Sequence, residues 1–294
     1  MAEPVTTVPA RGDSQPAADL ADSTLLRWVE RPDGRLELRE TPLTPEDYLD
    51  PQEGDTWVQG ERHNAIRGLL ASTLRLHFVA DPEVLVTEDL KFLLGAGLSR
   101  PAPDVAVVRG VRRGDRDVFD VVGEGVAPCL VIEVVSPKSA RIRRVDVERK
   151  VRDYCDAGVP EYVIVDRPSR KKDSPFELLG YRLDSRGRYR RIEPDGEGRL
   201  LSETIGVWFG LSADRLQVLL WDAATGERML SPEEVAAALV AAEERAAREA
   251  EARKAEVRAR EAAEERAARE TEARKAAESE IARLRAELER LSKQ

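Results

Sequence analysis

The last stretch of the chain admits one conformation. From Pro232 to Lys293 the sequence is almost entirely Ala, Glu, Arg and Lys, with no Gly and no further Pro. These are strong helix formers. The block AAEERAAREAEARKA at 241–255 returns as AAEERAARETEARKA at 262–276, an offset of 21 residues or three heptads. Ser231-Pro232-Glu233-Glu234 supplies an N-cap with a capping-box glutamate three residues on. The spacing predicts a long exposed helix or coiled coil over 232–293, joined to what precedes it by a linker at 222–231. Its apolar stripe is mostly Ala until Ile281, Leu284, Leu288 and Leu291, whose 3-4-3 spacing makes a heptad seam. Ala buries little area, so the leucines are expected to anchor a homodimer, the competing form being a solvated single helix. Such a tail has no core, and any globular fold must lie before it.

At the other end, residues 1–22 are rich in Pro, Ala, Asp and Ser and are expected to be disordered. They contain no apolar segment of the kind a secretory signal requires. No run of about 18 apolar residues occurs, so no membrane span is expected. Two cysteines, Cys129 and Cys155, make neither a disulfide framework nor a four-ligand zinc site, and the expectation is a reduced, cytoplasmic setting. The net charge of −9 counts against a global basic field for nucleic acid. Bound metal ions and local arginine clusters override a net charge of that size.

Residues 24–221 read as one domain. Leu25–Glu30, the turn Arg31-Pro32-Asp33-Gly34 and Arg35–Arg39 form a predicted β-hairpin. Thr44-Pro45 opens a short helix. Residues 60–78 place Ile66, Leu69, Leu70, Thr73 and His77 on one helical face. VLVTEDL (84–90), KFLLGAG (91–97), DVAVVRG (104–110) and CLVIEVV (129–135) read as strands of one sheet. Residues 145–157 read as a helix stopped by Gly158 and Pro160, followed by the strand EYVIVD (161–166). Residues 176–184 and 187–194 read as a last hairpin, and Trp208 to Trp221 closes the core. The fold class is α/β, a mixed central sheet flanked by helices.

Two carboxylates stand out. Asp104 follows Pro103 at the mouth of an apolar strand, and Glu133 interrupts the apolar run 130–135. A carboxylate inside a buried strand is costly unless it is paired or binds a cation. An arginine partner or an edge position would satisfy it as well as a metal would. In the following helix, Lys150 is three after Val147 and four before Tyr154, on the inward stripe. A lysine there either stabilises charge in a transition state or snorkels to water, and Asp146, at i−4, is a pairing partner for it. Glu61 and His63 begin the first long helix, and His63 shares the face of Ile66 and Leu70. Arg112, Arg113, Arg141, Arg143 and Arg144 either hold phosphates or are solvated loop charges. Ser136-Pro137 has no histidine placed for a serine-hydrolase arrangement.

Taken together, Pro103-Asp104, Glu133-Val134-Val135-Ser136-Pro137, Asp146 with Lys150, and Gly158-Val159-Pro160-Glu161-Tyr162 before Asp166 resemble the Uma-two family of restriction-endonuclease-like proteins, part of the PD-(D/E)xK nuclease superfamily. The resemblance covers roughly residues 24–221. It implies a metal-dependent endonuclease hydrolysing phosphodiester bonds of nucleic acid, DNA before RNA, with Asp104 and Glu133 holding Mg²⁺ or Mn²⁺ and Lys150 standing in for the motif lysine. The superfamily's usual lysine position, two after the acid, is Val135 here. Lys138 is a second candidate, and Glu61 and His63 compete for the acidic position of the first helix. The alternative is an inactive nuclease-fold adaptor acting through its coiled coil.

Overall fold

The computed structural model describes residues 24–292 except 53–54, 58–59, 136–142, 170 and 172–173. The expected disorder of 1–22 and the candidate Lys138 lie outside the described residues. Two compact units divide at Pro232 and Glu233.

The first unit is built on a mixed sheet of six strands. Its order is β11 (Tyr189–Arg191), β10 (Glu177–Leu183), β9 (Glu161–Asp166), β8 (Leu130–Val134), β6 (Val105–Arg109) and β4 (Val84–Thr87). Only β8 and β9 run parallel. A parallel pair needs a crossover, and it is supplied by a π-helical turn, Val145–Arg149, running straight into α4, Lys150–Asp156. Strands β8 and β9 are buried along their whole length, which is why they read as continuous apolar runs.

Side-chain alternation sorts the sheet into two faces. Val105, Val107, Leu130, Ile132, Val134, Val163 and Val165 face a core closed by Ile66, Leu70 and Leu74 of α2 (Glu61–His77). Ala106, Val108, Val131, Val135, Tyr162 and Ile164 face a second core that takes in Tyr154 of α4, Phe92 and Phe119. The sequence places 84–97, 104–110 and 129–135 in one sheet, but Lys91–Leu93 (β5) leaves it. Asp89, at φ 54, turns the chain off the line of β4, and β5 pairs in parallel with β7 (Val118–Asp120) in a separate two-stranded sheet. Phe92 then stacks on Phe119 at 5.0 Å between centroids. The hairpin of β10 and β11 is not the last one either: β12 (Leu200–Ser202), β13 (Val207–Leu211) and β14 (Val218–Asp222) form a further antiparallel sheet against the first core.

The N-terminal hairpin forms as its turn predicts. It joins β1 (Thr24–Glu30) to β2 (Leu36–Pro42), with β3 (Thr56–Trp57) on the other side of β1. Next comes α1 (Pro45–Leu49), capped reciprocally by Thr44 and Asp47 and carrying Pro at its first position. A short α3 (Val121–Glu124) follows β7. The second unit is the helix α5, Pro232–Ser292. Its exposed ion pairs include Arg248–Glu244, Arg260–Glu264 and Arg274–Glu278 at i,i+4 spacing. Ile281, Leu284 and Leu288 are all exposed on it.

A buried carboxylate–lysine cluster

Antiparallel pairing of Val105 with Ile132 carries Asp104, one residue before β6, to the place beside Glu133. Both belong to the sheet face that α4 covers. Asp104 is fastened from two directions. Its Oδ2 accepts from the Val134 N–H at 2.7 Å, and its Oδ1 lies 2.8 Å from Nε2 of His63, which reaches over from the start of α2. Glu133 Oε1 accepts from Lys150 Nζ at 2.8 Å and from the Tyr154 hydroxyl at 3.0 Å. Lys150 Nζ also pairs with Asp146 Oδ1 at 3.0 Å, although that oxygen receives no well-directed hydrogen bond.

The π-helical turn sets up this arrangement. The Lys150 N–H bonds to the Val145 carbonyl, five residues back, and the widened turn precedes the lysine directly. Asp146 is further fixed through its carbonyl, which accepts from the Tyr162 hydroxyl at 3.0 Å. From α1, Tyr48 lays its ring over Lys150, with Nζ 4.2 Å from the centroid, and hydrogen-bonds to Asp146. Asp104, Glu133, Asp146 and Lys150 are each only 1–3% exposed.

The charges do not balance. Three carboxylates converge on one ammonium, and the other basic group acting on them is the His63 imidazole. Burial pushes Glu133 well above the usual carboxylate range; Lys150 pulls it down, and repulsion from Asp104 and Asp146 adds to the rise. Burial likewise raises Asp146 despite Lys150. Asp104 goes the other way: burial would raise it, but attraction and hydrogen bonding from His63 and the Val134 N–H hold it below its ordinary value. Burial alone would discharge Lys150, yet Asp146 and Glu133 together keep its ammonium well above the normal lysine range.

The donor set suits a hard divalent cation in its chemistry, being all carboxylate oxygen, buried and in excess of positive charge. Asp146 Oδ1, which shares its close cation with Glu133, marks the same deficit. As placed, the lysine stands between Glu133 and Asp146, and among the described residues no three such groups enclose an ion. A cavity of about 960 Å³ includes none of the cluster residues in its lining. It lies beside them in sequence, at Asn64, one residue from His63, and Ala102, two from Asp104, with Arg67 and Lys91 on its wall.

Of the sequence-based candidates, the structure brings together Asp104, Glu133, Lys150 and His63. Glu61 is exposed and does not join them, being on the opposite side of the helix from Ile66 and Leu70. The sequence left two further participants unassigned, Tyr48 and Tyr154. Tyr154 was findable, since it sits one turn beyond Lys150 on the inward stripe; no local signal pointed to Tyr48. Two of the arginines are committed elsewhere. Arg113 donates to the carbonyls of Phe78, Asp81 and Val84 past the end of α2, and Arg143 forms a bidentate pair with buried Asp166. Arg144 pairs at 3.9 Å with Glu148, both exposed; Arg141 lies outside the described residues.

The family model Uma2, described as "Putative restriction endonuclease", matches residues 25–215, a span that holds the entire cluster. No curated protein matches the chain. Among solved structures, a putative nuclease belonging to DUF820 from Anabaena variabilis aligns at 14% identity and a TM-score of 0.37, covering 63% of this chain and 83% of that one.

Proposed function

This chain belongs to the Uma2 family of putative restriction endonucleases, and we propose that it is a metal-dependent endonuclease whose reacting centre is the cluster of Asp104, Glu133 and Lys150. The observation that carries the reading is the convergence of those three side chains, from three separate parts of the chain, with more buried negative charge than the protein itself neutralises. Asp104 and Glu133 would hold Mg²⁺ or Mn²⁺, which when bound supplies a nucleophilic water and offsets charge on a phosphoryl group. His63 and the Val134 N–H fix the direction of the Asp104 carboxylate. Tyr154 does the same for Glu133. Lys150, flanked by two carboxylates, keeps its proton and serves as a fixed cation for the charge that develops on the phosphate oxygens, not as a base. The substrate on this reading is nucleic acid, DNA in the first instance.

One observation favours the alternative, a nuclease-fold adaptor working through α5: the cluster side chains are buried, and the Tyr48 ring lies over Lys150. A plasmid-nicking assay with Mg²⁺ or Mn²⁺ decides between them. Wild type should nick, and Glu133→Gln should not. Lys150→Ala should lower turnover with DNA binding retained, while Lys138→Ala changes little. A divalent ion should also raise the melting temperature, and Asp104→Asn should abolish the rise. Wild type that neither cleaves nor responds to divalent ions leaves the adaptor.

A further inference from the structure

The outer edge of the N-terminal hairpin carries a self-complementary pattern. Strand β2 is the edge of its sheet, and among the described residues no strand pairs with its far side. The Arg31 N–H donates to the Arg35 carbonyl at 2.8 Å, so the hydrogen-bonded pairs across β1 and β2 are 31/35, 29/37 and 27/39. Leu36, Leu38 and Glu40 therefore turn their N–H and C=O groups toward the open edge. On one face of the hairpin Trp28 stands directly across from Leu38, and Trp28, Leu36 and Leu38 are 56%, 66% and 47% exposed. A long open edge with apolar side chains is a template for another strand.

We propose that this edge binds a second copy of the same chain, β2 against β2 in antiparallel pairing, with the two-fold axis at Leu38. Charge selects that register. With Leu38 opposite Leu38, Glu37 of each copy faces Arg39 of the other, and Leu36 faces Glu40. Slipping by two residues one way sets Glu37 against Glu37 and Arg35 against Arg39; slipping the other way sets Arg39 against Arg39. Like charges directly opposite destabilise a pair, so both slips are penalised. A slip by one residue fails on backbone grounds, because the outward-facing hydrogen-bonding groups no longer meet. In the favoured register Trp28, Leu38, Leu38 and Trp28 form one row across four strands. Charged residues usually blunt a sheet edge; here their alternating sign turns them into a register key. This interface is separate from the leucine seam of α5 and does not depend on the chemistry proposed above.

Site-directed crosslinking of the full chain tests it. Opposed residues in a hydrogen-bonded antiparallel pair lie about 5.5 Å apart at Cα, within the span a disulfide bridges. Leu38→Cys should give a covalent dimer on mild oxidation, well above the background from Cys129 and Cys155 in the wild type. Leu36→Cys, facing Glu40 in the partner and so too far from its own counterpart, should stay at background. Adding Arg39→Glu to Leu38→Cys should weaken association roughly tenfold, from two like-charge rungs, and adding Glu37→Arg as well should restore it. Equal crosslinking at 36 and 38, none at 38, or no response to the charge swap overturns the proposal.

Discussion

Replacing Lys150 by Met keeps the bulk of the side chain and removes its charge from a site that is 1% exposed. The ammonium lies 2.8 Å from Glu133 and 3.0 Å from Asp146. At an effective dielectric constant of about 20, each contact represents roughly 6 kcal/mol of Coulomb attraction before desolvation is counted. Most of that is offset by the cost of burying the ions, and breaking a buried pair by deleting one partner typically costs about 3–5 kcal/mol. The Met variant should lose that amount at pH 8 without divalent ions. The loss should be smaller at pH 5. With the lysine gone, Glu133 and Asp146, both already raised by burial, rise further. A carboxyl raised by folding binds its proton more tightly in the folded state, so stability grows as pH falls toward the unfolded value and is lost as pH climbs through the raised one. Lys150's own contribution in the wild type is untouched over this range, because its raised value is reached only above the normal lysine pKa. Urea unfolding followed by tryptophan fluorescence measures the first unit alone, since Trp28, Trp57, Trp208 and Trp221 all precede α5. A deficit under about 1 kcal/mol at pH 8, or one equal at both pH values, would refute the account of the cluster as under-compensated negative charge.

His63→Ala should cost about 1–3 kcal/mol in the same assay, because Asp104 Oδ1 loses its 2.8 Å partner in a buried place; a loss within error would mean that the Val134 N–H alone holds the carboxylate. For the tail, Leu284→Ala with Leu288→Ala should lower the apparent mass of the full chain in light scattering while leaving its helical content unchanged; an unaltered mass places association elsewhere than the leucine seam.

Much of this arrangement is legible in the sequence because the signals are local. Thr44-Pro45 announces α1, the apolar face of 61–77 announces α2, and the unbroken apolar runs at 130–135 and 161–166 announce strands covered on both sides. Glu133 betrays itself by interrupting such a run, and Lys150 by lying on an inward stripe. What the sequence hides depends on tertiary partners or on small backbone departures. Nothing in 145–149 distinguishes a π-helical turn from an α-helical one, because the extra residue per turn is imposed by how the segment packs. The departure of β5 rests on one residue, Asp89, adopting positive φ. His63 could be placed on a face but not assigned to Asp104, since only the docking of α2 against the sheet joins them. Tyr48 belongs to a segment whose local pattern says no more than "short helix".

Burial of the cluster serves one requirement of a reacting centre and opposes another. Out of water, Lys150 and the carboxylates interact strongly and are held in fixed directions, which is what charge stabilisation needs; buried, with the Tyr48 ring over Lys150, they offer a substrate little surface. A core of ordinary apolar side chains would be as stable or more so, because desolvating four ionisable groups consumes most of what their pairing returns, so stability alone does not account for the cluster. The way out lies in how the cover is attached. Helix α1 belongs to neither of the two large cores. Its Leu49 is buried outside them, and Leu43 and Leu25 form a small cluster of their own against which Tyr48 packs. Arg27 ties it to the hairpin through Asp47. The Arg100 N–H to the Leu49 carbonyl and the Lys91–Asp50 pair hold its far end, and a segment with so small an apolar anchor opens at less cost than the strands beneath it. Displacing α1 would uncover Lys150 and Asp146 while leaving β6, β8 and β9, and therefore the relative positions of Asp104 and Glu133, as they are.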